Sequence, residues 1–266
     1  MPAVSYLRPK DLAHALRLYA ETPECRPLAG GTDVMVMLQA RTIRPRALLD
    51  LWSLKELKGI RMVDGTLEIG AAESYTHIMQ STLVRQHLPA LVEAAQTIGA
   101  AQIQNRGTLG GNLANASPAG DTLPVMLAAD AVVVTDRRVI PVSDFFTGYR
   151  KTSLQLDEVI VAVRFPLDGR HVLFRKVGTR QAQAISKVVM AVCLKPARIG
   201  LGSVAEVPIR AQRAEAALAR GDLAGTVAAI DADIRPIDDV RSTAEYRRQV
   251  TRNVLRRLLE QVSRTR

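Results

Sequence analysis

The sequence predicts an α+β chain organised as two domains. Three observations predict it. Short β-branched runs and helical runs alternate irregularly through the first part of the chain, the composition breaks at Leu167-Asp-Gly-Arg170, and beyond that break strand-like runs precede the helical ones. Strands before helices give an antiparallel sheet with helices packed on one side, whereas a parallel sheet needs strict strand–helix alternation. At 266 residues the chain is long for one core and has the apolar content to bury two.

Taken in order, Pro9 opens a first helix in which Leu12, Ala15, Leu16 and Tyr19 keep helical spacing, closing near Thr22-Pro23. A strand at 26–28 runs into Ala29-Gly-Gly-Thr-Asp33, after which 34–40 reads as an amphipathic helix. With a further strand at 47–51 this makes a small α/β unit whose double glycine sits at a strand-to-helix junction, where an anion is readily held. Ile60–Val63 and Thr66–Gly70 are strands joined by Asp64-Gly65, a strong hairpin signal. Helices follow at Tyr75–Gln80 and 88–98, then strands at 131–135, 139–142 and 159–165, the last closed by Pro166. Past the break, strands at 172–177, 188–194 and 199–204 lead to helices at 209–219 and 242–262.

The stretch that organises the chain is Asn105-Arg-Gly-Thr-Leu-Gly-Gly-Asn-Leu-Ala-Asn-Ala-Ser-Pro-Ala-Gly-Asp121, followed by a helical run at 122–130. Gly107, Gly110 and Gly111, among small and amide side chains, let the backbone approach a ligand and turn its N–H groups toward it, which suits an anion. Ser117, Pro118 and Asp121 then supply helix-start chemistry, with Asp121 as N-cap and Leu123, Met126 and Leu127 on one face. Two glycine turns, here and at Gly30-Gly31, suit a ligand with two phosphates. Neither is a GxGxxG fingerprint or a P-loop, and either alone also reads as a plain tight turn.

The formal charge of +10 is concentrated late: 241–266 holds eight Arg against Glu245 and Glu260. There Val250, Val254, Leu255, Leu258, Leu259 and Val262 form an apolar stripe opposite Arg252, Arg256, Arg257 and Arg264. A solvated helix face, docking to an acidic partner and nucleic-acid binding are the open readings. The last is disfavoured, since no aromatic stacking residues or nucleic-acid motif accompany the arginines. Cys25 and Cys193 are too far apart in sequence for a disulfide framework or a CxxC site, so the chain is expected to carry no iron–sulfur cluster of its own. His14, His77, His87 and His171 lack the i, i+4 spacing of a metal pair. The first seventeen residues lack the pattern of a signal peptide, and no apolar run is long enough to cross a bilayer. A cytoplasmic protein is expected.

Ala29-Gly-Gly-Thr-Asp33 and Thr108-Leu-Gly-Gly-Asn112 with Ala116-Ser-Pro-Ala-Gly-Asp121 resemble the two flavin signatures of the FAD-binding (medium) subunit of molybdenum hydroxylases, as in xanthine and carbon monoxide dehydrogenases. The resemblance continues through Phe145-Phe-Thr-Gly-Tyr-Arg-Lys-Thr152, Arg198-Ile-Gly-Leu-Gly-Ser-Val-Ala205 and Pro236-Ile-Asp-Asp-Val-Arg-Ser-Thr-Ala244, covering nearly the whole chain. It implies a two-part FAD-binding domain of the vanillyl-alcohol-oxidase/p-cresol methylhydroxylase type at 1–168, with subdomains of about 1–54 and 55–168. A C-terminal α+β domain at 169–266 would follow.

By the same resemblance, amides around Ala29, Gly30, Gly31 and Thr32 and around Gly110, Gly111 and Asn112 would hold the FAD pyrophosphate. Asp121 would accept from a ribose or ribityl hydroxyl, and Thr108 and Ser117 would offer hydroxyls. Asp33 belongs to the first signature, with a helix cap its preferred role. Lys176 matches a position reaching the pyrimidine side of the flavin, where a cation favours the anionic reduced ring. No nucleophile is required, because the cofactor carries the chemistry. The implied partners are an iron–sulfur small subunit and a molybdopterin large subunit in a hetero-oligomer, with electrons passing through FAD to an external acceptor.

Some positions depart from the family. Gln104 stands where relatives commonly have Arg, Gln183 and Ala184 stand where NAD-using relatives often have acids, and the link Leu194-Lys-Pro-Ala-Arg198 is short. The run 180–188 looks most like xanthine-dehydrogenase-type members, pointing to a purine or other N-heterocycle as the complex's substrate. The competing readings are a self-contained FAD-dependent oxidoreductase and a non-enzymatic basic interaction module without a chromophore.

Overall fold

The computed structural model of the chain describes residues 4–180 and 183–263, the side chains of Val262 and Ser263 excepted. The Val262 side chain, Arg264, and Gln181 and Ala182 of the 180–188 run therefore lie outside the described residues.

The first unit is a three-stranded parallel sheet in the order Ser5–Leu7, Ala47–Asp50, Cys25–Leu28. The helix Leu12–Glu21 begins at Asp11, whose Oδ1 accepts from the His14 amide at 2.7 Å, so Asp11 and not Pro9 sets its start. Ala15 packs with Leu49, Leu51, Leu54 and Leu57 in a core that also takes Val159, just ahead of a later strand. The second helix, Val34–Gln39, half-buries Val34, Met37 and Leu38 on one face and leaves Met35, Val36 and Gln39 exposed on the other, so its faces differ in burial although five of its six residues are apolar.

The second unit is a five-stranded antiparallel sheet in the order Ile60–Val63, Thr66–Gly70, Ile160–Pro166, Val132–Thr135, Val139–Pro141. Its first hairpin turns at Asp64 (φ 46°) and Gly65 (φ 73°), the two positive angles that match the twist of the flanking strands. Thr82–His87 and Leu109–Asn115 lie against this sheet, while Tyr75–Gln80 packs on Pro89–Gln96 and Ala101–Arg106, and Pro89–Gln96 reaches on to the strand Val172–Val177. Thr82–His87 and Ala101–Arg106 are not expected from the sequence; Ala101–Arg106 buries none of its residues, so it carries no apolar face to read, and Thr82–His87 buries only Val84. Leu109–Asn115 is a correction: the middle of the glycine stretch is a helix, capped by Thr108, rather than an open loop.

The third unit is a four-stranded antiparallel sheet, Val172–Val177, Val188–Cys193, Arg198–Gly202 and Ile209–Arg210. The strand Val188–Cys193 is buried throughout. Val188, Met190 and Val192 join a core with Ala214, Leu218, Ile230, Leu255 and Leu258 of the helices Gln212–Ala219, Leu223–Asp233 and Ala244–Ser263. Val189, Ala191 and Cys193 join the core of the preceding unit. The sheet is thus covered on both faces, not one as expected. The second cover is the helix Leu123–Ala128, buried at all six positions, which is why the sequence picked out an apolar face where there is no polar one.

One carboxylate ties these units together. Asp130 accepts from Arg198 Nε at 2.8 Å, Arg210 Nη1 at 3.1 Å and Arg170 Nη1 at 3.2 Å, and Arg170 also reaches the Ala129 carbonyl at 2.6 Å.

Candidate functional site

The two glycine segments meet. Gly30 lies so close to the Arg106 carbonyl that a Cβ would overlap it, and the Gly107 amide is 3.1 Å from the same point. Gly110 is equally committed: a Cβ there would lie 2.6 Å from Ala71 Cβ and 2.8 Å from Ala71 O. These glycines are required by contact between backbones. Farther out, Asp33 Oδ1 accepts from Asn115 Nδ2 at 2.9 Å, and Asn115 Oδ1 accepts from Arg150 Nη1 at 2.8 Å. That relay fastens three segments distant in sequence.

Between them lies a cavity of about 500 Å³ whose wall includes Ala29, Gly30, Gly31, Thr32, Asp33, Thr108, Gly110, Gly111 and Asn112. It shares Asp33, Asn112, Asn115 and Arg150 with a second cavity of about 1000 Å³, which reaches across to Ser186, Ser203 and Arg247 of the third unit and includes Ser117 and Asp121. The two form one bent cleft, whose junction also includes Ile98 and Ile103 and so sets an apolar pair beside the polar groups.

The backbone donors of the two segments differ. The N–H groups of Gly30, Gly31, Thr32 and Asp33 donate to no atom of the described residues. Those of Gly110, Gly111 and Asn112 are engaged, with Ala71 O at 2.9 Å, Thr108 Oγ1 at 3.0 Å and Thr108 O at 3.0 Å. The expectation that both sets of amides stand free for an anion is therefore corrected: only the first set is free, and Thr108 serves as a buried helix cap. Ser117 Oγ accepts from the Ala119 amide at 3.3 Å. Asp33 is also corrected; it sits at the cap position of its helix, but its side chain caps nothing and holds Asn115. Burial raises its carboxyl pKa, opposed by Arg150 and Asn115.

Asp121 is not a helix cap either, since Thr122 takes that position without a side-chain bond. Its Oδ2 accepts from Lys176 Nζ at 2.6 Å, and the same ammonium donates to Thr97 O at 3.0 Å. Lys176 is not a direct wall of the cleft: its side chain is 9% exposed and stands behind Asp121, itself 10% exposed. Burial outweighs the lysine's attraction and pushes the Asp121 carboxyl up to about 6. Asp121 Oδ1 is buried and accepts from nothing. A residue of the cleft wall thus carries an orphaned acceptor.

Several contributors escaped the sequence reading. Asn115 and Arg150 lay inside quoted motifs without a role, and Tyr75, buried against Gly107, carried no local signal. Trp52, the only tryptophan, lines neither cavity; Lys58 Nζ stands 4.3 Å and Arg106 Cζ 4.0 Å from its ring centroid, and the second of these contacts tethers the residue whose carbonyl meets Gly30. Gln104 donates to Gln96 O and Ile98 O, fastening the preceding helix instead of facing the cleft. Gln183 and Ala184 line the second cavity. Among the described residues no cluster suits a metal ion, and no helix is long and apolar enough to cross a membrane.

Compared with known proteins, residues 2–168 match the family described as the FAD binding domain in molybdopterin dehydrogenase, and residues 174–262 the CO dehydrogenase flavoprotein C-terminal domain. The chain is 33% identical to a xanthine dehydrogenase FAD-binding subunit of Escherichia coli O157:H7, with 97% of this chain and 95% of the relative covered. Among solved structures it is similar to a chain of the carbon monoxide dehydrogenase of Hydrogenophaga pseudoflava, at 30% identity and TM-score 0.91 with 96% of each chain covered. It is also similar to a chain of quinoline 2-oxidoreductase from Pseudomonas putida 86, at 26% identity and TM-score 0.91, with 99% of this chain and 98% of the other covered.

Proposed function

Because this chain belongs to the family of FAD-binding medium subunits of molybdenum hydroxylases, we propose that it takes electrons from iron–sulfur clusters of a small partner subunit, substrate being oxidised at molybdopterin in a large one, and passes them to an external acceptor. The observation that carries the reading is the bent cleft, with free amides at one end and an orphaned carboxylate oxygen at the other. Those two features fit FAD.

When bound, FAD supplies the redox chemistry. In this proposal the amides of Gly30, Gly31, Thr32 and Asp33 donate to the diphosphate, whose charge they meet without desolvated side chains. Gly110, Gly111 and Asn112 contribute wall shape, with Thr108 fixing their helix. Asp121 Oδ1 accepts a ribose or ribityl hydroxyl, and Ser117 offers another hydroxyl nearby. Lys176 keeps Asp121 oriented and ionised above pH about 6. The free amides and Asp121 belong to different parts of the proposed organisation, 1–54 and 55–168, with 169–266 as the C-terminal domain closing the second cavity.

The proposed substrate of the complex is a purine or other N-heterocycle, supported by the resemblance of 180–188 and by two relatives named for xanthine and quinoline. Gln183 and Ala184 in the second cavity, where acids would be expected for NAD, favour another acceptor. The proposed compartment is the cytoplasm, in keeping with two unpaired cysteines.

The test is the visible absorption spectrum of the purified chain after incubation with FAD and desalting, with the released cofactor identified. Retained FAD is expected, and Asp121→Ala should lower its occupancy. A folded chain that retains none, even with both partner subunits added, overturns the reading.

A further inference from the structure

We propose that the Val34–Gln39 helix and the arginine-bearing turn after it form the docking surface for the electron-donating partner subunit, and that this partner meets them with an apolar face edged by carboxylates. The inference rests on the proposed FAD function.

The helix is anomalous for a soluble surface. Val34, Met37 and Leu38 turn toward the protein and are half-buried, while Met35 and Val36, adjacent on the outer side, are 56% and 62% exposed. Contiguous exposed apolar side chains mark contact sites more reliably than scattered ones, and methionine adapts its shape to a partner. Its position is specific. Val34 and Met37 line the cavity that holds the free amides, so a subunit seated on Met35 and Val36 would lie one helix thickness from the bound cofactor. Electron transfer weakens steeply with distance, so the partner's redox centre needs such a seat.

Charge argues for the partner's chemistry. From Val34 to Arg46 the chain carries Arg41, Arg44 and Arg46 and no acid. Arg46 pairs with Glu24, whereas Arg41 and Arg44 are exposed and form no ion pair among the described residues. Arg41 also holds φ at 56°, in the left-handed position after a helix where glycine is usual. That conformation closes the helix, with the Arg41 amide donating to Leu38 O at 3.1 Å and the Thr42 amide to Met37 O at 3.0 Å, and it holds the arginine at the helix end beside the exposed Met35 and Val36. Arginine and methionine are enriched at interfaces, and a basic rim selects an acidic counterpart.

The test uses the complex produced with its partner subunits. Met35→Asp/Val36→Asp should leave FAD bound but weaken assembly by about tenfold or more, as loss of central apolar contacts does. Flavin reduction by the complex's substrate should slow in proportion. Arg41→Glu/Arg44→Glu should weaken assembly at low salt and less at high salt. Val139→Asp, the same kind of change at a 54% exposed edge-strand residue, should assemble normally. If the apolar double variant loses FAD, the arginine variant decides, because neither arginine lines the cleft. Assembly of both variants as wild type overturns the proposal. So does a wild-type chain that dimerises alone through this surface, becoming monomeric in the variant while the complex persists. A wild-type chain without FAD instead refutes the flavin reading itself.

Discussion

Gly110→Ala tests whether the cleft is shaped by backbone contact. The new methyl would lie 2.6 Å from Ala71 Cβ and 2.8 Å from Ala71 O, against about 3.5–4.0 Å for a relaxed carbon–carbon contact. Both obstacles are fixed to the backbone, so the Leu109–Asn115 helix must retreat by about 1 Å to reach that contact distance. Its retreat stretches the hydrogen bond from the Gly110 amide to Ala71 O, now 2.9 Å. Overpacking costs about 1–3 kcal/mol and the weakened bond about 1 kcal/mol more. The expected loss of about 2–4 kcal/mol corresponds to a fall in Tm of about 5–15 °C for a chain of this size. Gly111→Ala is the matched comparison: its methyl would meet only Thr108 Oγ1, at 2.8 Å, a side-chain atom with more freedom to turn. Thermal unfolding of both variants, with FAD affinity followed by quenching of Trp52, makes the measurement. A Gly110→Ala chain that melts with the wild type, or less affected than Gly111→Ala, would refute the reasoning.

Other consequences are as direct. Lys176→Met leaves Asp121 buried without its cation, and should destabilise the chain at neutral pH by about 3–5 kcal/mol in urea titrations, with the deficit shrinking in acid as the carboxyl takes a proton. In the cofactor-free wild type, Asp121 titrates at about 6 when folded against 3.8 ordinarily. Its raised value means that its stabilising share is fully present below pH 3.8 and is lost as pH rises through about 6, a change of about 3 kcal/mol that Asp121→Asn should remove from the pH profile of stability. Asp130→Asn takes the charge and one of two acceptor oxygens from three guanidinium groups and turns an NH2 donor toward them; a loss of about 2–3 kcal/mol and faster proteolysis at 167–170 are expected. Asn115→Ala severs the relay from Asp33 to Arg150 and should weaken FAD binding about tenfold while leaving Tm nearly unchanged.

What could be read from the sequence was local chemistry. The Asp64-Gly65 hairpin emerged with its boundaries intact because the turn and its flanking strands lie within a dozen residues. The glycine segments were found, but their reason was misjudged: a glycine needed for a ligand and one needed for Ala71 look alike until Ala71 is placed. Asp121 and Lys176 were each assigned to the cofactor, yet they meet each other from 55 positions apart. One missed feature was legible. Val188-Val-Met-Ala-Val-Cys193 lacks any polar alternation, the pattern of a strand buried on both faces, and could have shown that the third sheet is covered twice.

That doubly covered strand bears on how the cofactor reaches its place. Val189, Ala191 and Cys193 share a core with Leu123, Val125 and Leu127, so the C-terminal sheet and the unit before it are continuous in their interior. A hinge needs a seam of weak contact, and a shared core provides none. The second cavity therefore cannot widen by rocking one half away from the other. FAD enters a cleft whose shape is already set, and the rate at which the folded chain fills with flavin should follow diffusion into that open cleft and not a slow parting of domains.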